Sequence, residues 1–307
     1  MPDNQPTYAG RPSLCRNCGA LIGAGESACH VCGAELQQAK PVPLPMHERY
    51  ALSYARAILA RPYIFTIVFL VANFFVFLLM WEASGMSSTV LWAAFDDSVL
   101  FAFGAKTNYL IGHEHEWWRF VTPVFIHINL LHVLVNMYSL WILGPWVEKL
   151  YGSAKFVVFW VATGIAGVVA SFFSVIPGSR PGMLASFLIK YSDDPSAGAS
   201  GALFGLVGVL FVFGLKYRRE LPEGFKRAFG TGMLPVILLN LAIGFVGKGI
   251  IDNAAHLGGL VSGAAIAAVV SYKRPGQPAG VTIAWRVVQI AALLLVAVSF
   301  FMAWRHS

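Results

Sequence analysis

The sequence predicts an all-α polytopic membrane protein with a small metal-binding ribbon at its N-terminus. Three observations carry that prediction. Of 307 residues, 57% are hydrophobic and only 12% charged, mean hydropathy is +0.65, and apolar runs of span length recur while all four cysteines precede residue 33. A soluble domain carries about 25% charged residues, so a bilayer has to supply the apolar surroundings here. The formal charge of +7 does not point to nucleic acid, because such a surface gathers its basic residues on one face. In this chain Lys and Arg fall between the apolar runs, where they act as topology determinants.

Residues 1–45 open with proline, polar residues and glycine rather than a basic start and an apolar stretch, so the N-terminus is expected to be retained. Residues 1–38 hold the ribbon. Cys15-Arg16-Asn17-Cys18 and Cys29-His30-Val31-Cys32 are two CxxC knuckles, each followed by a glycine, Gly19 and Gly33. Four thiolates offered from two tight turns match the tetrahedral demand of a structural zinc ion. Two disulfides would need an oxidising compartment, and a redox CxxC pair is the other alternative. The charge pattern places this end in the cytoplasm, which favours zinc, and four Cys already fill the site without His30.

Residues 39–61 are expected to form a linker and a basic interfacial segment. Lys40-Pro41-Val42-Pro43-Leu44-Pro45 favours extended polyproline geometry, and Arg49, Arg56 and Arg61 lie on an amphipathic stretch. Seven apolar runs then read as spans, at 62–82, 124–147, 154–176, 198–215, 230–247, 249–271 and 284–304. The loop 83–123 carries Trp92, Phe95, Phe101, Phe103, Trp117 and Trp118, too aromatic for a solvated linker, and is expected in the lipid interface. Lys149, Lys155, Lys216, Arg218, Arg219, Lys226, Arg227, Lys273, Arg274 and Arg286 fall on one side of these spans. By the positive-inside rule that side, with the N-terminus, is cytoplasmic and the C-terminus is outside.

Three polar positions coincide in depth within this topology. Ser200 stands 16 residues before Lys216, and His256 and His132 stand 17 before Lys273 and Lys149. At the helical rise all three lie roughly 24–26 Å above the cytoplasmic anchors, nearer the outer face. Asn136 follows His132 by one helical turn, so the two share a face. Taken singly, a Ser among Gly and Ala is helix-packing glue, and a membrane His is a structural hydrogen bonder or part of a proton path. Joint placement favours a nucleophile, Ser200, beside a base, His256. Gly201 and Gly205 on one span, and Gly259 and Gly263 on another, form GxxxG faces that let the two backbones approach closely enough. Gly198-Ala199-Ser200-Gly201-Ala202 is not the nucleophile elbow of α/β hydrolases, since Ala202 replaces the final Gly and no strand precedes it.

With these residues in place, the sequence resembles the rhomboid family of intramembrane serine proteases over residues 62–271. The carrying motifs are Trp118-Arg119, His127 with His132-Val133-Leu134-Val135-Asn136, Glu148 with Tyr151-Gly152, Gly198-Ala199-Ser200-Gly201, and Ala255-His256-Leu257-Gly258-Gly259. The resemblance implies a six-helix core plus a seventh C-terminal helix, with residues 272–307 as the last loop and span. It makes Ser200 the nucleophile and His256 the general base, without a carboxylate. It further implies an oxyanion hole from His132, Asn136 and the Ser200 backbone N–H. By the same resemblance Trp118-Arg119 holds the first loop in the lipid interface, and Glu148 braces the cytoplasmic ends of spans two and three. Phe204 stands where many relatives have a Tyr stacked on the base, so stacking is retained and any hydroxyl contact is lost. Asp252, one turn from His256, reads as a loop or cap residue.

The implied activity is endoproteolysis of transmembrane segments of single-span proteins, in a bacterial cytoplasmic membrane, with zinc in the ribbon and no catalytic cofactor. The implied partners are those substrates, the lipid bilayer and a cytoplasmic protein met by the ribbon, with no nucleic acid. Two other classes compete. One is a silent relative that binds transmembrane clients, although such members lose the Ser or the His. The other is a proton or metal transporter using His113, His115, His127, His132 and His256, which would want intramembrane carboxylates and inverted repeats.

Overall fold

The computed structural model describes residues 13–23, 26–35, 58–91, 93–179, 182, 185–247, 251–274 and 276–307. The proline-rich linker and most of the expected basic segment at 39–61 lie outside these residues, as does Trp92. The chain divides into two compact units, Met1–Tyr50 and Ala51–Ser307.

The first unit contains a two-stranded antiparallel hairpin, β1 (Ser13–Leu14) and β2 (Leu21–Ile22), with Leu14 opposite Leu21. Each CxxC segment closes on itself through a matched pair of backbone bonds. Gly19 N–H donates to Cys15 C=O and Cys15 N–H to Ala20 C=O, and Gly33, Cys29 and Ala34 repeat the pattern. Gly19 and Gly33 carry φ of 73° and 68°, the left-handed conformation that a side chain would strain.

The second unit is helical. Its long elements are α1 (Ile64–Ala83), α4 (Leu130–Tyr151), α5 (Ser153–Ser174), α6 (Ser200–Lys216), α8 (Leu234–Val246), α9 (Asn253–Val269) and α10 (Ala279–Arg305). Short helices α2 (Asp97–Ala102) and α3 (Asn108–Gly112) lie in the first loop, and α7 (Glu223–Ala228) precedes α8. Each of the seven expected spans coincides with a helix. By length and composition five stretches among the described residues can cross a membrane: Ile64–Ala83, Leu130–Tyr151, Ser153–Ser174, Gly224–Val246 and Ala279–Arg305. The apolar helices α6 and α9 are shorter, at 17 residues each.

Several helices begin later than the hydropathy suggests, because the backbone ahead of them is spent on tertiary bonds. The run from Val124 continues as a 3-10 turn, Thr122–Phe125, and then an extended stretch in which Ile128 C=O accepts from Phe95 N–H. The α-helix starts only where the Asn129 side chain accepts from His132 N–H at 2.8 Å, a side-chain N-cap. Pro145 lies inside α4, and Gly144 beside it faces Thr66 of α1, whose methyl would be 2.7 Å from an added Cβ. One residue, Gly152 at φ 84°, then separates α4 from α5.

α5 and α6 form the interior. Phe156, Phe159 and Trp160 of α5 are fully buried, and Trp160 stacks on Phe69 of α1 with ring centroids 5.3 Å apart. Every residue of α6 from Gly201 to Leu210 is buried. By contrast α1 turns Val71, Phe75 and Leu78 outward, and α8 and α10 bury few side chains, the distribution expected of helices whose outer faces meet lipid rather than water.

The tightest packing joins α6 to α9. A Cβ added at Gly259 would overlap the Gly201 carbonyl, one at Gly263 the Gly205 carbonyl, and one at Gly208 the Leu260 carbonyl. These neighbours are backbone atoms that cannot swing aside. Gly263→Ala is therefore expected to lower the thermal unfolding midpoint in detergent, at a cost of about 1–3 kcal/mol. An unchanged midpoint would mean that the helices do not approach this closely.

Candidate functional site

Ser200 is the first residue of α6 and His256 the fourth of α9, and the glycine contacts below them bring the two together. His256 Nε2 lies 2.8 Å from Ser200 Oγ. In the imidazole tautomer protonated at Nδ1, the hydroxyl donates to Nε2, the arrangement of a nucleophile beside its base. Phe204, one turn along α6, stacks on the His256 ring with centroids 4.2 Å apart and planes 14° from parallel.

The turn presenting Ser200 is held from the α4 side. Gly198 N–H donates to Pro123 C=O at 2.8 Å, and Ala199 N–H to Nε2 of the fully buried His127 at 3.4 Å. Gly198 has φ 137°, and a Cβ there would lie 2.6 Å from His132 Cε1, so glycine is what allows the His132 ring to pack on this turn. His127 and His132 meet edge to face at 5.1 Å. Like every helix N-terminus, α6 leaves its first N–H groups, that of Ser200 among them, without an intrahelical acceptor. Asn136 is buried and gives one amide hydrogen to His132 C=O at 2.8 Å, retaining the other.

Ser200, His256, His132 and Asn136 all line one cavity of about 880 Å3. Leu131, Val135 and Ser139 of α4 form one wall, and Val236, Asn240 and Ile243 of α8 another. The four residues singled out for chemistry thus share a single space, whose lining is mostly apolar with polar side chains set into it.

Three expected placements need correction or extension. Trp118 and Arg119, expected to hold the first loop in the lipid interface, are themselves buried. Trp118 packs against Trp117 and the His306 ring, while Arg119 donates to Ala105 C=O at 2.9 Å and pairs with Glu116. They hold the first loop from within, because an arginine so placed finds its acceptors in the loop itself. Phe95 is also buried and packs on Phe77, so part of the loop's aromatic set is spent on a folded cap, while Tyr109 and Trp117 are exposed among the described residues. Glu148 braces α1 as well as α5. Its carboxylate accepts from Phe65 N–H (3.0 Å), Thr66 N–H (2.7 Å), the Thr66 hydroxyl (2.8 Å) and the Ser153 hydroxyl (2.7 Å). A carboxylate on α4 thereby caps the N-terminus of α1.

Asp252 is the N-cap of α9, its side chain accepting from Ala255 N–H at 3.1 Å. Among the described residues no carboxylate hydrogen-bonds the His256 ring. His113 and His115 are exposed in the first loop, and no group of three His, Asp or Glu able to hold a metal occurs among the described residues. Sequence reasoning missed the part played by α5. Gly164 abuts Val124, and a Cβ at Gly167 would be 2.8 Å from Ala255 C=O. The signal was present as a small-residue spacing in α5 like those of α6 and α9.

In the N-terminal unit the four cysteine sulfurs lie within 4.8 Å of one another. Cys15 and Cys32 Sγ are 3.7 Å apart, and Cys18 and Cys29 Sγ 3.6 Å. A disulfide would bring them to about 2 Å, whereas a tetrahedral site with metal–sulfur bonds of about 2.3 Å separates its sulfurs by roughly 3.8 Å. The cluster therefore fits a metal ion. The Ala34 N–H, with the Asn17 amide, lowers the Cys32 thiol to about 6, into the range where it is a thiolate at neutral pH.

The chain matches the Rhomboid domain family model over residues 114–273. It is 35% identical over 243 residues to the rhomboid protease GluP of Bacillus subtilis, an alignment covering 79% of this chain and 41% of that protein. It is 29% identical over 178 residues to the putative rhomboid protease YdcA of the same organism, covering 57% of this chain and 79% of that one. RHOMBOID-like protein 1 of Arabidopsis thaliana is 32% identical over 166 residues, which cover 52% of this chain and 36% of the plant protein. The chain thus spans about two fifths of GluP and little more than a third of the plant relative.

The cysteine geometry makes a direct prediction. Purified protein is expected to hold one metal ion per chain by elemental analysis, and changing Cys15 and Cys18 to Ser should remove it. A stoichiometry near zero in freshly prepared, reduced protein would refute the metal site.

Proposed function

The chain belongs to the rhomboid family, and from that premise we propose that it is an intramembrane serine endopeptidase cleaving transmembrane segments of single-span membrane proteins. The observation that carries this reading is the 2.8 Å contact between Ser200 Oγ and His256 Nε2, at the N-terminal ends of two short helices and open to a cavity. Ser200 attacks the scissile carbonyl while His256 takes its proton. The tetrahedral oxyanion is met by the Ser200 N–H, with His132 and Asn136 as further donors. His256 then gives the proton to the leaving amine, and the acyl-enzyme is hydrolysed by a water that His256 deprotonates in turn.

The substrate segment enters the cavity between α4 and α8. It has to unwind there, because a peptide bond within a regular helix is already hydrogen-bonded and shielded. We assign α6 and α9 as short spans, which gives the six-plus-one arrangement with residues 62–271 as the catalytic core. The N-terminus lies in the cytoplasm of a bacterial cell and the C-terminus outside. The ribbon, residues 1–38, holds zinc and serves a cytoplasmic partner or substrate tail.

The chemistry is tested by Ser200→Ala and His256→Ala. Each is expected to abolish cleavage of a transmembrane reporter in detergent without lowering thermal stability appreciably, and fluorophosphonate probes should label the unaltered protein at Ser200. Sustained proteolysis by Ser200→Ala would end the serine-protease reading. The oxyanion assignment predicts that Asn136→Ala lowers kcat by about 10²-fold with KM little changed. A variant that loses stability but retains its turnover per folded molecule would make Asn136 a packing residue instead.

A further inference from the structure

We propose that Asp252 is a positioning residue, a single carboxylate that ties the segment presenting Ser200 to the helix presenting His256 and so sets their separation. The inference rests on the proposed Ser–His chemistry. Asp252 holds the first turn of α9 at two points: its side chain accepts from Ala255 N–H at 3.1 Å, and its carbonyl accepts from His256 N–H at 3.1 Å. Its Oδ2 atom reaches the other way. It accepts from the Ser196 hydroxyl at 2.8 Å, the Lys190 ammonium at 2.8 Å and the Ser171 hydroxyl of α5. Ser196 stands four residues before Ser200 and Asp252 four before His256. Apart from the Ser200–His256 contact, no other side chain among the described residues hydrogen-bonds both stretches.

The stretch carrying Ser196 is otherwise tied to the first loop. Ser196 exchanges backbone bonds with Lys106 at 2.9 and 3.0 Å, and Gly198 bonds Pro123. Asp252 is thus where that loop-bound segment meets α9. Its side chain is 12% exposed and that of Lys190 25%, so the pair is shielded enough for its charge-assisted bonds to fix geometry and for loss of one partner to leave an uncompensated charge. Asp252 is not a third catalytic group, since its oxygens serve Ala255, Ser196, Lys190 and Ser171 and none meets the imidazole. A small misplacement of a nucleophile from its base costs turnover more than binding. The effect of losing Asp252 should accordingly fall on kcat.

The test uses the full chain with a fluorogenic transmembrane reporter, turnover being counted per fluorophosphonate-reactive serine so that unfolded molecules drop out. Asp252→Asn removes the charge, and Asp252→Ser keeps a capping oxygen without the second arm. Both are expected to lower kcat about 10- to 100-fold with KM within about twofold, and to slow probe labelling in parallel. Lys190→Gln should do less, and the Asp252→Asn/Lys190→Gln double variant should be no slower than Asp252→Asn alone, the non-additivity of a shared contact. Normal kcat in Asp252→Asn or Asp252→Ser, or strictly additive losses, would overturn the proposal while leaving the protease reading intact. An unaltered chain that neither cleaves nor labels would overturn both.

Discussion

The backbone-to-backbone contact of α6 and α9 is the constraint on which the rest of this structure depends. Between helices in a bilayer there is no hydrophobic driving force, so association rests on close packing of small residues. Gly208 on one side, and Gly259 and Gly263 on the other, leave out Cβ atoms that would strike the facing backbone, while Gly205 makes room for Thr163 of α5. α5 completes the contact, with Gly167 against Ala255 C=O. Only at such a distance can a side chain as short as serine reach an imidazole on the neighbouring helix. The separation of Ser200 and His256 is therefore a property of three helices, and the glycines below the pair matter to it as much as the pair itself.

Helices of 17 residues are about 25 Å long, some 5 Å short of a hydrocarbon core about 30 Å thick. If α6 and α9 cross, their N-terminal ends begin inside the bilayer, and irregular backbone is tolerated there only where protein or trapped water satisfies it. The observed bonds answer that demand. Asn129 caps α4, Asp252 caps α9, and Pro123 C=O and the His127 ring accept from the two residues ahead of Ser200. The first loop, with Trp118 and Arg119 buried inside it, is a lid of protein over helix ends that lipid could not have solvated. The polar groups exposed toward the cavity by these late helix starts include those the proposed hydrolysis uses.

The sequence made the helices legible because hydrophobicity at span length is a strong signal, and it made the pair legible because an ionisable His in a span is costly enough to need a reason. The coincidence of Ser200, His256 and His132 in depth agrees with their places at the starts of α6, α9 and α4. Helix starts were less legible: Val124, Phe125, Ile126 and Ile128 are apolar enough for a span, and nothing in their composition tells that Ile128 C=O is taken by Phe95. The same limit hid the direction of Trp118 and Arg119, since composition marks a residue as amphipathic without saying which surface it finds. The Asp252 network was invisible for another reason. Lys190 reads as a topology determinant and Ser171 and Ser196 as ordinary polar residues, and only folding makes them neighbours.

The proposed dyad has no acid, yet an aspartate stands one turn from the base. Its use elsewhere is informative. Asp252 is paired with Lys190 at 2.8 Å, and its other hydrogen bonds go to Ser196, Ser171 and Ala255 N–H rather than to the imidazole. Two tasks that a buried aspartate performs in a soluble triad, orienting the ring and stabilising its charged form, must then fall to other groups. Phe204 is placed for both. A ring 14° from parallel at 4.2 Å fixes the imidazole plane by packing, and its π-face attracts the cation when the proton arrives. Neither task needs a hydroxyl, so a phenylalanine suffices at this position, and the carboxylate is free to set the distance between the two helices that the chemistry has to bridge.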